Sequence, residues 1–429
     1  MSLCTSPPLR LAGAVGAAAL LLAGCASPAG GIPSGGIPSG DPGSGPAAEA
    51  VPHGYVAGAQ EAAEPQTRLT AVSAAGEVSV TDPATETVTR IGSFPGISAA
   101  SGTDRYVFLA NEEDGTVRIV DSGGWTVPHG DHRHYYSTEP RLVGSITGER
   151  PGRIVSSEGH TAVFFGDGTV TTLDHEDLAA GDVAGTSFSA APHQGVAVPF
   201  AGSFLVSVAG DGQGSDAAPG TAVELSSSDG VRSSIPGAGC AELEGYAVTR
   251  AGVVFGCADG ALLITGDRQA GITARHLPYP AQGTGLPAGT DRARSFDHRT
   301  GSAEVAAVAG TAGAWHLDLN TLTWQLLAAG EPLAGAAAAG DGAHVLAVGR
   351  SGSLISLDTA AAAVKTSRPL SAGPLAPDAE PVLEINPERA YIVDEAAGTV
   401  LEIDYADDLR TARTLDAGLP VRLLVETGR

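Results

Sequence analysis

The sequence predicts an all-β fold, a β-propeller of eight blades with seven as the alternative, and three observations carry that prediction. A short unit of Gly, an alternating apolar-rich stretch and Asp recurs as Gly76–Asp82, Gly115–Asp121, Gly168–Asp174, Gly352–Asp358 and Gly398–Asp404. Looser copies begin at Gly220, Gly260 and Gly313, so successive copies start 39 to 53 residues apart. Each clear copy follows a β-rich segment that ends in a turn, as Tyr106–Asp114 does before Gly115. Strand, Gly turn, strand is the grammar of a hairpin, and a repeat of this period with about four strands per unit specifies a propeller. Third, the apolar segments are short and broken by Gly, Asp, Ser and Pro, without the 3.6-residue period of helices. A pair of β-sandwiches is the competing arrangement.

From the N-terminus, residues 1–24 read as an export signal: Arg10, then an apolar run from Leu11 to Leu22 that is too short for a membrane span. The tetrapeptide Leu22-Ala23-Gly24-Cys25 resembles the bacterial lipobox, in which the Cys is acylated and becomes the mature N-terminus. Cys25 is therefore expected to anchor the protein to the outer face of the cell membrane, several acyl chains holding better than one. An ordinary secretory signal with an incidental Cys is the alternative. Residues 25–65 repeat Gly-Gly-Ile-Pro-Ser-Gly and turn to Ala, Glu and Pro, a composition that buries no core and reads as a disordered tether. Residues 66–429 form the propeller domain. Trp125, Trp315 and Trp324 lie near strand ends, where they are expected to pack between blades.

Four Cys are present. Cys4 leaves with the signal and Cys25 is the lipid site, so Cys240 and Cys257 remain as an even pair in an exported chain, expected as a disulfide. A thiolate metal pair is the alternative. The net charge is −24, and Lys365 is the single lysine. No basic stripe exists to meet phosphates, which excludes nucleic acid as a partner. No nucleophile elbow, Walker loop or HExxH is present, and the chain reads as a non-enzyme.

One run does carry chemistry. His129-Gly130-Asp131-His132-Arg133-His134-Tyr135-Tyr136 packs three imidazoles and a carboxylate into six residues, in a chain with eleven His. Imidazole with carboxylate suits a borderline dication such as Zn²⁺. The run follows the second blade's hairpin and is expected as an inter-blade loop near one end of the central channel. His132 and His134 alternate with Arg133, so an extended backbone aims both rings the same way. Asp131 points oppositely, as a ligand or as a ligand's partner, and Tyr135 and Tyr136 could fence the site. His193, before the apolar segment Gly195–Pro199, is expected at the entrance of an innermost strand facing the channel; Glu244, one blade on, is its counterpart. Ligating imidazoles must be neutral, so binding should weaken as pH falls through the ordinary imidazole range near ~6.5.

The segment from Trp125 through His129, Asp131, His132 and His134 to Tyr136 resembles that of the AztD-type zinc metallochaperones, as do Pro192–Pro199 and the Cys240, Cys257 pair. The resemblance covers most of residues 66–429 and is specific in the His-rich run. It implies an extracytoplasmic protein that binds Zn²⁺ through His129, His132, His134 and His193; the chain is expected to be a monomer. It also implies delivery of the metal to the solute-binding protein of an ABC-type zinc importer. Glu244 stands where the family pattern has His. A propeller that serves only as a protein-interaction scaffold is the main rival; a metal-dependent hydrolase is a weaker one, for want of a general base.

Overall fold

Strand-turn-strand repeats whose third strand begins at Gly and ends at Asp build this ring one blade at a time. The computed structural model describes residues 54–130, 132–210, 218–280, 286–371 and 373–429. The expected export signal, Cys25, the tether as far as residue 53, and Asp131 lie outside the described residues. Val51–Arg429 forms one compact unit.

Eight antiparallel blades follow one another. Blade two is typical, with Ala99–Thr103 innermost, then Tyr106–Asn111, Thr116–Asp121 and, outermost, Arg141–Thr147. Blade six has only a short innermost segment, at Asp297, bridged to Ala306. Blades six and seven are joined by two parallel bridges, Ala328 to Ala363 and His298 to Ala338. Blade one closes the ring: the C-terminal strand Leu423–Thr427 pairs antiparallel with Arg68–Val72 from the start of the domain. This pairing ties the two ends of the domain together in one blade and closes the ring.

Each sequence copy, the three looser ones included, is the third strand of a blade, from Glu77–Asp82 to Thr399–Asp404. The Gly turns the chain between second and third strands. At Gly115, with φ 73°, an added Cβ would sit 2.2 Å from the carbonyl oxygen of Gly148. The Asp closes the next turn by accepting the backbone N–H two residues on, as Asp82 does from Ala84, Asp174 from Glu176 and Asp318 from Asn320. In blade three this same Asp174 caps a six-residue helix, His175–Ala180, which ends at Gly181 with φ 87°. That helix is too short to give a periodic signal.

The core lies between blades. Tyr106, Phe108, Phe165 and Leu173 interlock blades two and three; Leu263, Tyr279, Trp315 and Trp324 interlock five and six. Trp315 and Trp324 therefore pack as expected. Trp125 differs, since it belongs to an inserted hairpin. Cys240 and Cys257 form a disulfide across 17 positions, joining the outer strand of blade four (Arg232–Leu243) to the second strand of blade five (Gly252–Cys257). A loop of that length restricts the unfolded chain by about 3 kcal/mol. The double variant Cys240→Ala, Cys257→Ala should lose about that much in denaturant unfolding; an unchanged midpoint would refute the brace.

Residues 54–65 depart from the expected tether. Gln60–Ala62 forms a strand and pairs with the inserted hairpin. Among the described residues no helix is long and apolar enough to cross a membrane.

Candidate metal centre

The His-rich run is not an inter-blade loop. It forms a β-hairpin, Gly124–His129 and His132–Ser137, inserted between the third and outermost strands of blade two. Gly130, with φ 61°, turns the chain directly after the first strand. Cross-strand partners are Trp125 with Tyr136, Val127 with His134, and His129 with His132. A pleat of period two puts all six of these side chains on one face, in three stacked rows. Arg133 and Tyr135 fall on the other face, so only Tyr136 flanks the imidazoles.

At the tip three ring nitrogens converge. Nδ1 of His129 lies 3.3 Å from Nε2 of His134, and Nε2 of His132 lies 3.2 Å from the same atom. A tetrahedral ion with metal–nitrogen bonds of about 2.0–2.1 Å needs its ligand nitrogens about 3.3 Å apart. The donor set therefore fits Zn²⁺. These are the sole three His, Cys or carboxylate groups that cluster within metal-holding range among the described residues. His129 and His132 are exposed and His134 is half-buried.

Glu61 completes the arrangement. Its strand pairs with the hairpin, placing it opposite Tyr136 and diagonal to His134. Its Oε1 accepts from Nδ1 of His134 at 2.7 Å. That bond puts the proton on Nδ1 and leaves the Nε2 lone pair for a metal. Sequence reasoning missed Glu61 because its segment looked like linker. Below the imidazoles, Tyr136 is fully buried; burial and then the Glu61 charge raise its phenol above the usual range.

His193 and Glu244 do not join this cluster. Strands alternate in direction along a blade, so an insertion after the third strand lies at the end of the ring opposite the loops that enter innermost strands. His193 and Glu244 lie on those entry loops, before Ala197–Phe200 and Tyr246–Thr249. His193 is buried, with Nδ1 on the Ala191 carbonyl at 2.8 Å and Nε2 on Ser207 Oγ at 2.7 Å. Burial lowers its pKa. Glu244 Oε2 is held by Arg292 and Arg294, each at 2.7 Å. The expected site at the channel mouth is thus replaced by one on a hairpin at the other end. A cavity of about 670 Å³ does line the innermost strands, with Arg153, Tyr246, Asp297 and His298 on its wall. On those strands burial, then neighbouring carboxylates, push Asp297 up to about 6 and Glu384 up to about 8.

No family model matches the chain. It is 30% identical over 188 residues to the zinc chaperone AztD of Citrobacter koseri, a stretch covering 43% of this chain. The chain spans 44% of the length of that relative. It is similar to the crystal structure of Citrobacter koseri AztD, with a TM-score of 0.71 at 20% identity over 85% of this chain and 98% of that one. The apo form from the same organism gives 0.72 with the same identity and coverage. Dihydro-heme d1 dehydrogenase NirN in complex with DHE gives 0.53 at 13% identity, over 86% of this chain and 76% of that one. The likeness to the solved structures is one of fold; the sequence likeness is to a zinc chaperone.

Proposed function

We propose that this chain is an extracytoplasmic zinc metallochaperone. It takes up one Zn²⁺ at the hairpin tip through His129, His132 and His134, with Glu61 orienting His134. It is tethered through a lipid on Cys25 and passes the ion to the solute-binding protein of an ABC-type zinc importer. The observation that carries this reading is the convergence of three imidazoles on an exposed tip, their ligand atoms within 4.8 Å of one another and those of His129 and His132 at 3.3 and 3.2 Å from His134 Nε2. The similarity to a zinc chaperone supports it.

Three protein nitrogens leave one coordination position open. A closed four-ligand site would serve as a structural brace; an open, exposed one admits an incoming ligand from a receiving protein, so the ion can change hands without first becoming free. Imidazole ligands also suit copper and nickel, so preference for zinc is set by geometry and supply more than by donor type.

Equilibrium dialysis of the exported protein should return one Zn²⁺ per chain. Glu61→Gln should weaken binding by about tenfold, as loss of a ligand's hydrogen-bond partner does. Mixing the zinc-loaded protein with a purified importer solute-binding protein should move the metal faster than zinc dissociates spontaneously. Absence of stoichiometric binding would overturn the site; transfer no faster than release would overturn the delivery role.

A further inference from the structure

A column of side chains runs from the body of blade two to the metal-binding tip. Its base is Arg105, at the turn between the first two strands of blade two. Arg105 grips Asp121 through both guanidinium arms, Nε to Oδ1 at 2.8 Å and Nη2 to Oδ2 at 2.7 Å, and both residues are buried. Asp121 is the terminal Asp of blade two's repeat copy. Like its counterparts it accepts a turn N–H, from Gly123, and it is fully buried beside the cation it anchors.

The Arg105 guanidinium lies 3.9 Å from the Trp125 ring centre. Trp125 stacks on Tyr136 at 5.4 Å and 27°. Tyr136 stacks on His134 at 6.2 Å and 17°. The four planar groups follow one another along the hairpin's inner face. Trp125 also donates its indole N–H to the Gly54 carbonyl at 3.2 Å, which fastens the segment that carries Glu61. The same column thus fixes the His134 ring from below and its carboxylate partner from the side.

We infer that Arg105 and Trp125 are positioning residues for the metal triad. This rests on the zinc-binding reading above and goes beyond it. Neither residue reaches the metal-binding nitrogens. They act by holding the His134 ring plane, so that Nε2 meets the nitrogens of His129 and His132 before any ion arrives. A hairpin with two exposed imidazoles at its tip would otherwise lose affinity to the entropy of ordering them. A planar cation is needed at the base, because a lysine ammonium offers neither the two-pronged grip nor a face to stack.

The test measures zinc affinity by competition with a chromophoric chelator, and the visible absorption of the Co²⁺-loaded protein, for wild type, Trp125→Leu, Trp125→Phe and Arg105→Lys. Trp125→Leu should weaken zinc by about 10- to 100-fold and alter the Co²⁺ bands; Arg105→Lys should weaken it by about tenfold. Trp125→Phe restores the aromatic face but not the indole N–H to Gly54, and should fall between wild type and Trp125→Leu. Thermal unfolding of the metal-free proteins separates this from loss of the ring, since Trp125 belongs to the inserted hairpin and not to a blade interface. Tight binding by wild type that Trp125→Leu leaves unchanged, or that Trp125→Phe fails to rescue, overturns the inference alone. Failure of the wild type to bind zinc overturns the metal-site reading and this inference with it.

Discussion

Alanine at both His132 and His134 is expected to weaken zinc binding on the order of 10³-fold or more, measured by chelator competition. Loss of a mere hydrogen-bond partner of a ligand already costs about 10- to 100-fold. Here two of three donors go, and the remaining His129 is a single exposed imidazole. The hairpin itself should survive. Its strands keep their pairing, and its apolar row of Trp125 and Tyr136 is untouched. The unfolding midpoint of the metal-free protein should therefore move little, as for most surface changes. The control is His193→Gln. That ring is buried and bonded through both nitrogens, so the change should destabilise the fold while zinc affinity stays at the wild-type value. If the double variant still binds one zinc tightly, the tip is not the site.

The architecture was legible because a propeller writes its topology into local chemistry. The Gly turn and the Asp at the end of the third strand recur in seven blades, and even blade four, whose copy runs from Gly220 to Ser226 without that Asp, has its third strand there. The imidazole triad was legible for a similar reason: alternation in an extended chain aims His132 and His134 together. Its place in the fold was not. An inserted hairpin and an inter-blade loop have the same composition, and only the strand count of blade two decides between them. His193 and Glu244 were drawn to the site by that mistake, since loops at opposite ends of a blade look alike in sequence. Glu61 and Arg105 were out of reach altogether. Glu61 arrives by a three-residue pairing from a Gly- and Pro-rich approach, and Arg105 meets Asp121 and Trp125 only through tertiary structure.

Trp315→Ala tests whether the site depends on the ring as a whole or on its own hairpin. Trp315 is fully buried between blades five and six, stacked on Tyr279 at 4.9 Å and edge-on to Trp324 at 5.9 Å. Its indole N–H donates to the Asp291 carbonyl at 2.8 Å. Truncation leaves a large cavity in an interface of rigid strands, and the Asp291 carbonyl loses its donor. Together these should destabilise the protein by about 3–5 kcal/mol. Spread over a chain of this length, that lowers Tm by about 5 °C. Blades interact chiefly with their neighbours, and blade two is separated from this seam by blades three and four. Zinc affinity below the transition should then equal that of wild type. If affinity falls in step with Tm, the triad is held by the tension of the closed ring and the local column from Arg105 to His134 is insufficient. If it does not, blade two presents its metal-binding hairpin independently of the stability of the ring that carries it.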